Sequence, residues 1–166
     1  MIRPAGANDI PALIAIEVAS GALFRSVGMT SVADEPPLSA AELGRLVGAG
    51  RGFVQADARD NPTAYILLEP IDGRLFVEQI TVSPDSARQG LGAQLFDFAQ
   101  EHSSDFGVDG LSLTTFRDVD WNAPYYSRLG FEFVAESELT PGLASKLEDE
   151  SSRGLTAWPR VAMRRG

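Results

Sequence analysis

The chain has 166 residues, 44% hydrophobic and 22% charged, an ordinary globular balance that fits one compact domain over residues 1–166. It contains no cysteine, which excludes disulfides, thiolate nucleophiles and cysteine metal sites, and one histidine, His102, which excludes a histidine cluster, so no metal is expected. The net charge of −9 repels phosphate backbones, so nucleic acid is not an expected partner, while a cationic substrate would be weakly attracted.

Ile10, Leu13, Ile14, Glu17 and Val18 follow helical spacing, with Asn8 or Asp9 as the cap. Glu17 interrupts the apolar face. The simpler reading is a boundary residue reaching water; the sharper one is a carboxylate pointing into a substrate pocket. The apolar stretch from Ile10 to Ala19 is too short to span a bilayer and lacks the basic start of a signal peptide. The expectation is a soluble cytoplasmic protein with no membrane partner. Gly21 to Pro37 carries Gly21, Gly28, Pro36 and Pro37 and reads as a long loop of the functional kind. Ser39 and Glu42 form a capping box, so a second helix starts at Ser39.

Strands are expected at Gly52–Ala56, Ala64–Glu69 and Leu75–Val82, separated by the turn residues Arg59 to Pro62 and by a tight hairpin at Asp72-Gly73. A turn at Ser83 to Ser86 leads into a helix whose apolar face is Leu91, Leu95, Phe98 and Ala99. Then come a strand at Leu111–Phe116, a short helix at Ala123–Arg128 ended by Gly130, and a strand at Phe131–Ala135. Thr140–Ser152 is a polar excursion, helical after Pro141. The last strand is Ala157–Met163, with Pro159 restricting it to an edge or a late start. These alternating elements indicate one α/β domain.

The segment from Leu75 to Leu95 is strand, turn, glycine-rich loop and helix, with Gly90 and Gly92 where the helix begins. The first amides of a helix lack internal partners, the helix dipole adds positive charge there, and glycine lets a ligand approach the backbone, so together they form a pyrophosphate cradle. The alternative is a helix start with glycines for packing. A Rossmann loop needs a third glycine where Leu95 stands, and no P-loop pattern is present.

Val82 to Asp85 followed by Ala87-Arg88-Gln89-Gly90-Leu91-Gly92-Ala93 resembles motif A of the GNAT N-acetyltransferases, Q/R-x-x-G-x-G/A. Ala87 departs from the pattern, with Arg88 one place late. Trp121 to Phe131 resembles motif B of the same family, with its Tyr-x-x-x-Gly-Phe ending at Tyr126, Gly130 and Phe131. The resemblance covers most of residues 1–135. It implies an α/β (α+β) fold with a mixed, mostly antiparallel sheet of about six or seven strands flanked by helices. It further implies acetyl-coenzyme A as cosubstrate, its pyrophosphate on the amides of Arg88, Gln89, Gly90, Leu91, Gly92 and Ala93. The pantetheine arm then lies along the backbone of Ile80, Thr81 and Val82 and on Asn122, and Tyr126 is the general acid that protonates the departing thiolate. For Tyr126 the alternative is a helix tyrosine packed on the sheet.

An alkylamine is protonated near neutral pH, so direct acetyl transfer needs a base, and the missing cysteine disfavours an acetyl-enzyme. Glu78 is the first choice, on the strand face of Phe76, Ile80 and Val82, where apolar surroundings would raise its pKa; the alternative is a solvated strand carboxylate. His102 suits a helix C-terminus rather than catalysis. Trp121 and Tyr125 either line the acceptor site or fill the core. Phe24, Met29, Asp34 and Glu35 are acceptor-side candidates by family analogy. The acceptor is a small-molecule or peptide amine, and the Phe131–Gly166 end is a candidate homodimer edge. A non-catalytic acetyl-coenzyme A sensor is the alternative function.

Overall fold

Turn chemistry sets the order of the sheet. Asp72 and Gly73 take φ of 52° and 81°, the paired left-handed conformation of a two-residue hairpin whose twist matches that of its strands. They join β3 (Pro62–Ile71) to β4 (Arg74–Val82). In the computed structural model, which describes residues 1–152 and 158–166, one mixed seven-stranded sheet runs β1-β2-β3-β4-β5-β7-β6. The other strands are β1 (Ile2–Pro4), β2 (Gly52–Ala56), β5 (Leu111–Phe116), β6 (Glu132–Phe133) and β7 (Arg160–Arg165). β4 and β5 run parallel, registered at Leu75↔Leu111 and Phe76↔Ser112; β1–β2, β2–β3, β5–β7 and β6–β7 are antiparallel. The flanking helices are α1 (Ile10–Gly21), α2 (Thr30–Ala33), α3 (Ala40–Gly48), α4 (Leu91–Glu101), α5 (Ala123–Arg128) and α6 (Pro141–Ser152).

The chain divides into two compact units, Met1–Leu68 with Glu78–Asp97, and Glu69–Val77 with Phe98–Gly166. In the first, Leu13 and Ile16 of α1 and Leu43 and Leu46 of α3 pack with Val54, Tyr65 and Leu67. Each such leucine contributes roughly 1.5–3 kcal/mol by leaving water. Ser39 is the N-cap of α3, its hydroxyl accepting from the Glu42 amide at 3.1 Å.

Two expectations change in this unit. Residues 21–37 are not an open loop: a 3-10 turn, Ala22–Val27, continues α1, and α2 follows. Gly28 at φ 78° ends the turn, the Met29 amide bonds back to Phe24, and Met29 is 2% exposed, so one buried side chain organises a segment whose composition suggests a loop. Asp34 pairs with Arg25. The helical run from Ala7 to Val27 is therefore 21 residues, long and apolar enough to cross a membrane by length and composition, although the uninterrupted apolar stretch in the sequence is shorter. Its Leu13 and Ile16 sit in the core of the unit. β1 carries no strand pattern in the sequence, being three residues that end in proline; pairing with β2 creates it.

In the second unit Phe76, Val134, Leu143 and Ala162 form the core. β7 starts at Arg160, directly after Pro159, and lies between β5 and β6. A proline has no amide for an interior ladder, so of the two positions left open the late start is the one used. Ala157, the expected first residue of this strand, lies outside the described residues. β6 is shorter than Phe131–Ala135 because Phe131 belongs to the turn before it. α6 begins at Pro141, with the Gly142 amide on Asp72 Oδ2 at 2.7 Å. Glu150, 8% exposed, accepts from Thr114 Oγ1 at 2.6 Å and from Arg160 Nε, tying α6 to β5 and β7. Replacing Glu150 by Ala leaves the Arg160 charge without its partner, and the expected loss is about 3 kcal/mol of stability in urea unfolding. A loss below about 1 kcal/mol would show that solvent compensates the pair.

Candidate functional site

β4 ends at Val82 and passes through the 3-10 turn Pro84–Ser86 to Ala87, which is extended. Arg88 then takes φ 65° and Gly90 φ 74°, and α4 begins at Leu91. Left-handed residues alternating with others turn successive N–H groups toward one concave side, an arrangement that binds anions. The first bond of the helical ladder runs from Gln94 N–H to Gly90 C=O, so the amides of Leu91, Gly92 and Ala93 precede it at the positive end of the dipole. Arg88 holds a conformation that costs a non-glycine residue roughly 1–2 kcal/mol, and such strain clusters at ligand sites.

The glycines are not there for packing. A Cβ at Gly90 would meet nothing within 4 Å, and one at Gly92 would touch Val82 Cγ2 at an ordinary 3.8 Å. Positive φ explains Gly90, and the open space over it leaves room for a ligand against the backbone. Arg88, Gln89 and Gly90 are exposed, Leu91, Gly92 and Ala93 half-buried.

Strand alternation divides the end of β4 between two faces. Glu78, Ile80 and Val82 share one, and the contact between Val82 and Gly92 identifies it as the α4 face. Gln79 and Thr81 share the other, with Gln79 Nε2 donating to Thr81 Oγ1 at 2.7 Å. Thr81, 6% exposed, lies beside the phenol of Tyr65, which is fully buried. Tyr65 donates to Glu17 Oε2 at 3.4 Å, and the Leu38 amide donates to the same oxygen at 3.3 Å. Glu17 is half-buried, with Oε2 held by these two donors and no partner for Oε1 among the described residues. Its burial raises the carboxyl pKa, the Leu38 and Tyr65 bonds oppose that, and the charge of Glu35 adds to it. Sequence reading missed this chain of side chains, whose only trace was a carboxylate on an apolar helix face. It also missed Ser20, whose hydroxyl donates to the Val82 carbonyl at 2.8 Å, one of the backbone groups expected to meet the pantetheine arm.

In the second unit the geometry of α5 gives physical content to the Tyr-x-x-x-Gly-Phe pattern. The Phe131 amide bonds the Tyr126 carbonyl at 3.1 Å and the Gly130 amide bonds the Ser127 carbonyl at 3.1 Å, with Gly130 at φ 95°. These are the two bonds of a Schellman cap, and its usual apolar contact is that of Tyr126 with Phe131, ring centroids 6.0 Å apart. Tyr126 is half-buried; burial, with Tyr125 beside it and Arg160 opposing, pushes its phenol up to about 12. It therefore keeps its proton throughout the neutral range, as a general acid must. Asn122, half-buried, precedes α5 in an unusual backbone conformation (φ −113°, ψ −116°), and its side-chain amide makes no hydrogen bond among the described residues. Arg128 lies over the Tyr125 ring at 5.6 Å. His102 stacks on Phe98, its Nδ1 2.8 Å from the Phe98 carbonyl, at the C-terminal end of α4.

Gly130→Ala forces a side chain into the left-handed region while its Cβ meets only Arg165 Cδ at 3.5 Å, so the expected cost is about 1–2 kcal/mol of conformational strain, measured by thermal unfolding. An ultraviolet titration should lose one ionisation near pH 12 in Tyr126→Phe. The sign follows from the raised value. Unfolded tyrosine ionises near pH 10, so the stability linked to this phenol is complete below that and is lost as pH rises through about 12.

The acetyltransferase (GNAT) family model matches residues 24–131. Three solved structures share the fold. The ribosomal-protein-S18-alanine N-acetyltransferase from Escherichia coli is 18% identical, with 99% of this chain and 91% of that one covered and a TM-score of 0.66. The PaiA N-acetyltransferase from Thermoplasma acidophilum, in complex with coenzyme A, is 14% identical, covering 99% and 97%, with a TM-score of 0.72. N-acetylglutamate synthase from Neisseria gonorrhoeae, complexed with coenzyme A and N-acetyl-glutamate, is 17% identical, covering 99% of this chain and 34% of that one, at 0.73. At such identities these likenesses speak for the fold alone. The family model spans well over half of the sequence and takes in both the glycine-rich loop and the Tyr126 cap: the chain belongs to the GNAT acetyltransferase family.

Proposed function

We propose that the protein is an acetyl-coenzyme A-dependent N-acetyltransferase that passes the acetyl group directly to a primary amine of a small molecule or peptide. The observation that carries this reading is the loop of residues 87–90, where left-handed Arg88 and Gly90 set amides that have no partner among the described residues beside open space at the start of α4. An anion bound there receives several main-chain N–H groups without needing a basic side chain, which makes the shift of Arg88 along the motif tolerable.

In this reading the amides of Arg88 to Ala93 hold the pyrophosphate, and the main chain of Ile80, Thr81 and Val82, with the Asn122 amide, holds the pantetheine arm. Glu78 takes a proton from the attacking amine. The amine nitrogen bonds to the thioester carbonyl carbon, the carbon–sulfur bond breaks, and Tyr126 gives its proton to the departing sulfur. Tyr126 is protonated at neutral pH and so has a proton to give; burial makes its phenol a weaker acid, so the step draws on the position of the donor rather than on its acidity.

Gly90→Glu puts bulk and like charge where the diphosphate is assigned. Calorimetry is expected to find coenzyme A binding abolished while the far-ultraviolet spectrum stays folded; unchanged affinity would refute the placement. Tyr126→Phe is expected to lower kcat by about 10²–10⁴ with coenzyme A affinity retained. Wild-type turnover in that variant would remove the acid role, and binding without turnover across a broad amine panel would favour a non-catalytic sensor.

A further inference from the structure

Glu17 has no part in the reaction just described, and its setting is not that of a passive residue. The neighbouring α1 positions Leu13 and Ile16 are buried and Ile10 and Ile14 pack against the core, so a carboxylate here gives up hydration. That disfavours the charged form unless partners replace the water. The replacement is one-sided. Oε2 accepts from the Leu38 amide and the Tyr65 hydroxyl, while Oε1 accepts nothing and no cation pairs with it among the described residues.

Tyr65 gives its phenol proton to the carboxylate, and Thr81, which accepts from the Gln79 amide, lies beside that phenol. Tyr65 thus links Glu17 to the surroundings of Thr81, and three residues along α1 Ser20 is bonded to the Val82 carbonyl at 2.8 Å. The carboxylate is fixed to the stretch of β4 assigned to the pantetheine arm. Glu35 adds negative potential beside it, and the protein as a whole carries a charge of −9.

We infer that Glu17, through its unpartnered oxygen, docks a cationic amino group of the acceptor, which makes the acceptor a charged alkylamine rather than a neutral arylamine. This rests on the transferase reading above. Glu17 is an acceptor-binding residue; the proton leaving the amine is a separate matter, assigned to Glu78.

Glu17→Gln isolates the charge, because the glutamine carbonyl still accepts from Leu38 and Tyr65 while its amide repels an ammonium. Steady-state kinetics with putrescine, a dication at neutral pH, and aniline, which is neutral, supply the readout. Wild type is expected to prefer putrescine. Glu17→Gln is expected to raise KM for putrescine about 10–100-fold, the worth of a hydrogen bond to a charged group, with little change in kcat. Tyr65→Phe, which removes one of the donors that fix the carboxylate, should raise the same KM by less. A folding defect would lower activity toward both amines together, so the ratio of the two kcat/KM values is decisive. An unaltered ratio in Glu17→Gln, or a wild-type preference for aniline, overturns the inference and leaves the transferase reading standing. Failure of the wild type to bind acetyl-coenzyme A in calorimetry overturns that reading instead. Should neither amine be turned over, putrescine binding to the coenzyme A complex is the measurement: binding weakened tenfold or more by Glu17→Gln supports the inference, and no binding to wild type overturns it.

Discussion

The candidate site depends on backbone donors that have no partner among the described residues. A helix always leaves its first amides unpaired, and most helices cover them with a capping side chain, as Ser39 does for α3. α4 instead begins behind a loop whose Arg88 and Gly90 are both left-handed. Strain at Arg88 is a cost with no packing return, since the loop is exposed and a Cβ at Gly90 would meet only space. The strain persists because the helix on one side and the end of β4 on the other fix where the chain must go. Main-chain recognition of this kind tolerates the substitution of Ala87 for a family polar residue, because what a phosphate would meet is the peptide rather than the side chain.

The second unit uses the opposite end of a helix. α5 has six residues, too few to be stable alone, and its Schellman cap does the work that length cannot. The same cap explains a sequence pattern that otherwise looks arbitrary. The tyrosine occupies the position whose carbonyl accepts the longer bond, the glycine the left-handed position, and the phenylalanine the one that packs back on the tyrosine. Tyr126 is thereby held at both its backbone and its ring, and its burial raises its pKa without any charged neighbour being needed. A residue assigned to proton donation gains from such anchoring because proton transfer demands a fixed donor.

Elements with local punctuation were legible in the sequence. β5 and α5 have the boundaries read from the sequence, and the Asp72-Gly73 hairpin has the expected backbone, because strand composition and turn glycines act within a few residues. Elements made by distant partners were not. β1 is a strand only because β2 pairs with it, α2 forms around a buried Met29, and β6 shrinks because Phe131 is taken by the α5 cap. At the site the same division holds. The glycine loop and Tyr126 announce themselves by spacing, whereas the bonds that bring Tyr65 and Leu38 to Glu17 join residues far apart in the chain and leave no periodicity to find.

Those bonds bear on how two carboxylates divide their work. Glu78 and Glu17 approach β4 from different sides: Glu78 shares the face of Val82, against Gly92 of α4, and Glu17 reaches the strand through Tyr65 and Thr81 on the opposite face. Glu17 has one oxygen tied by two donors and the other unpartnered among the described residues, which fixes where its charge sits while substrate comes and goes. In the proposed reading proton transfer is assigned to Glu78, and a cationic acceptor held by Glu17 would be a substrate selected by charge before its amine is activated.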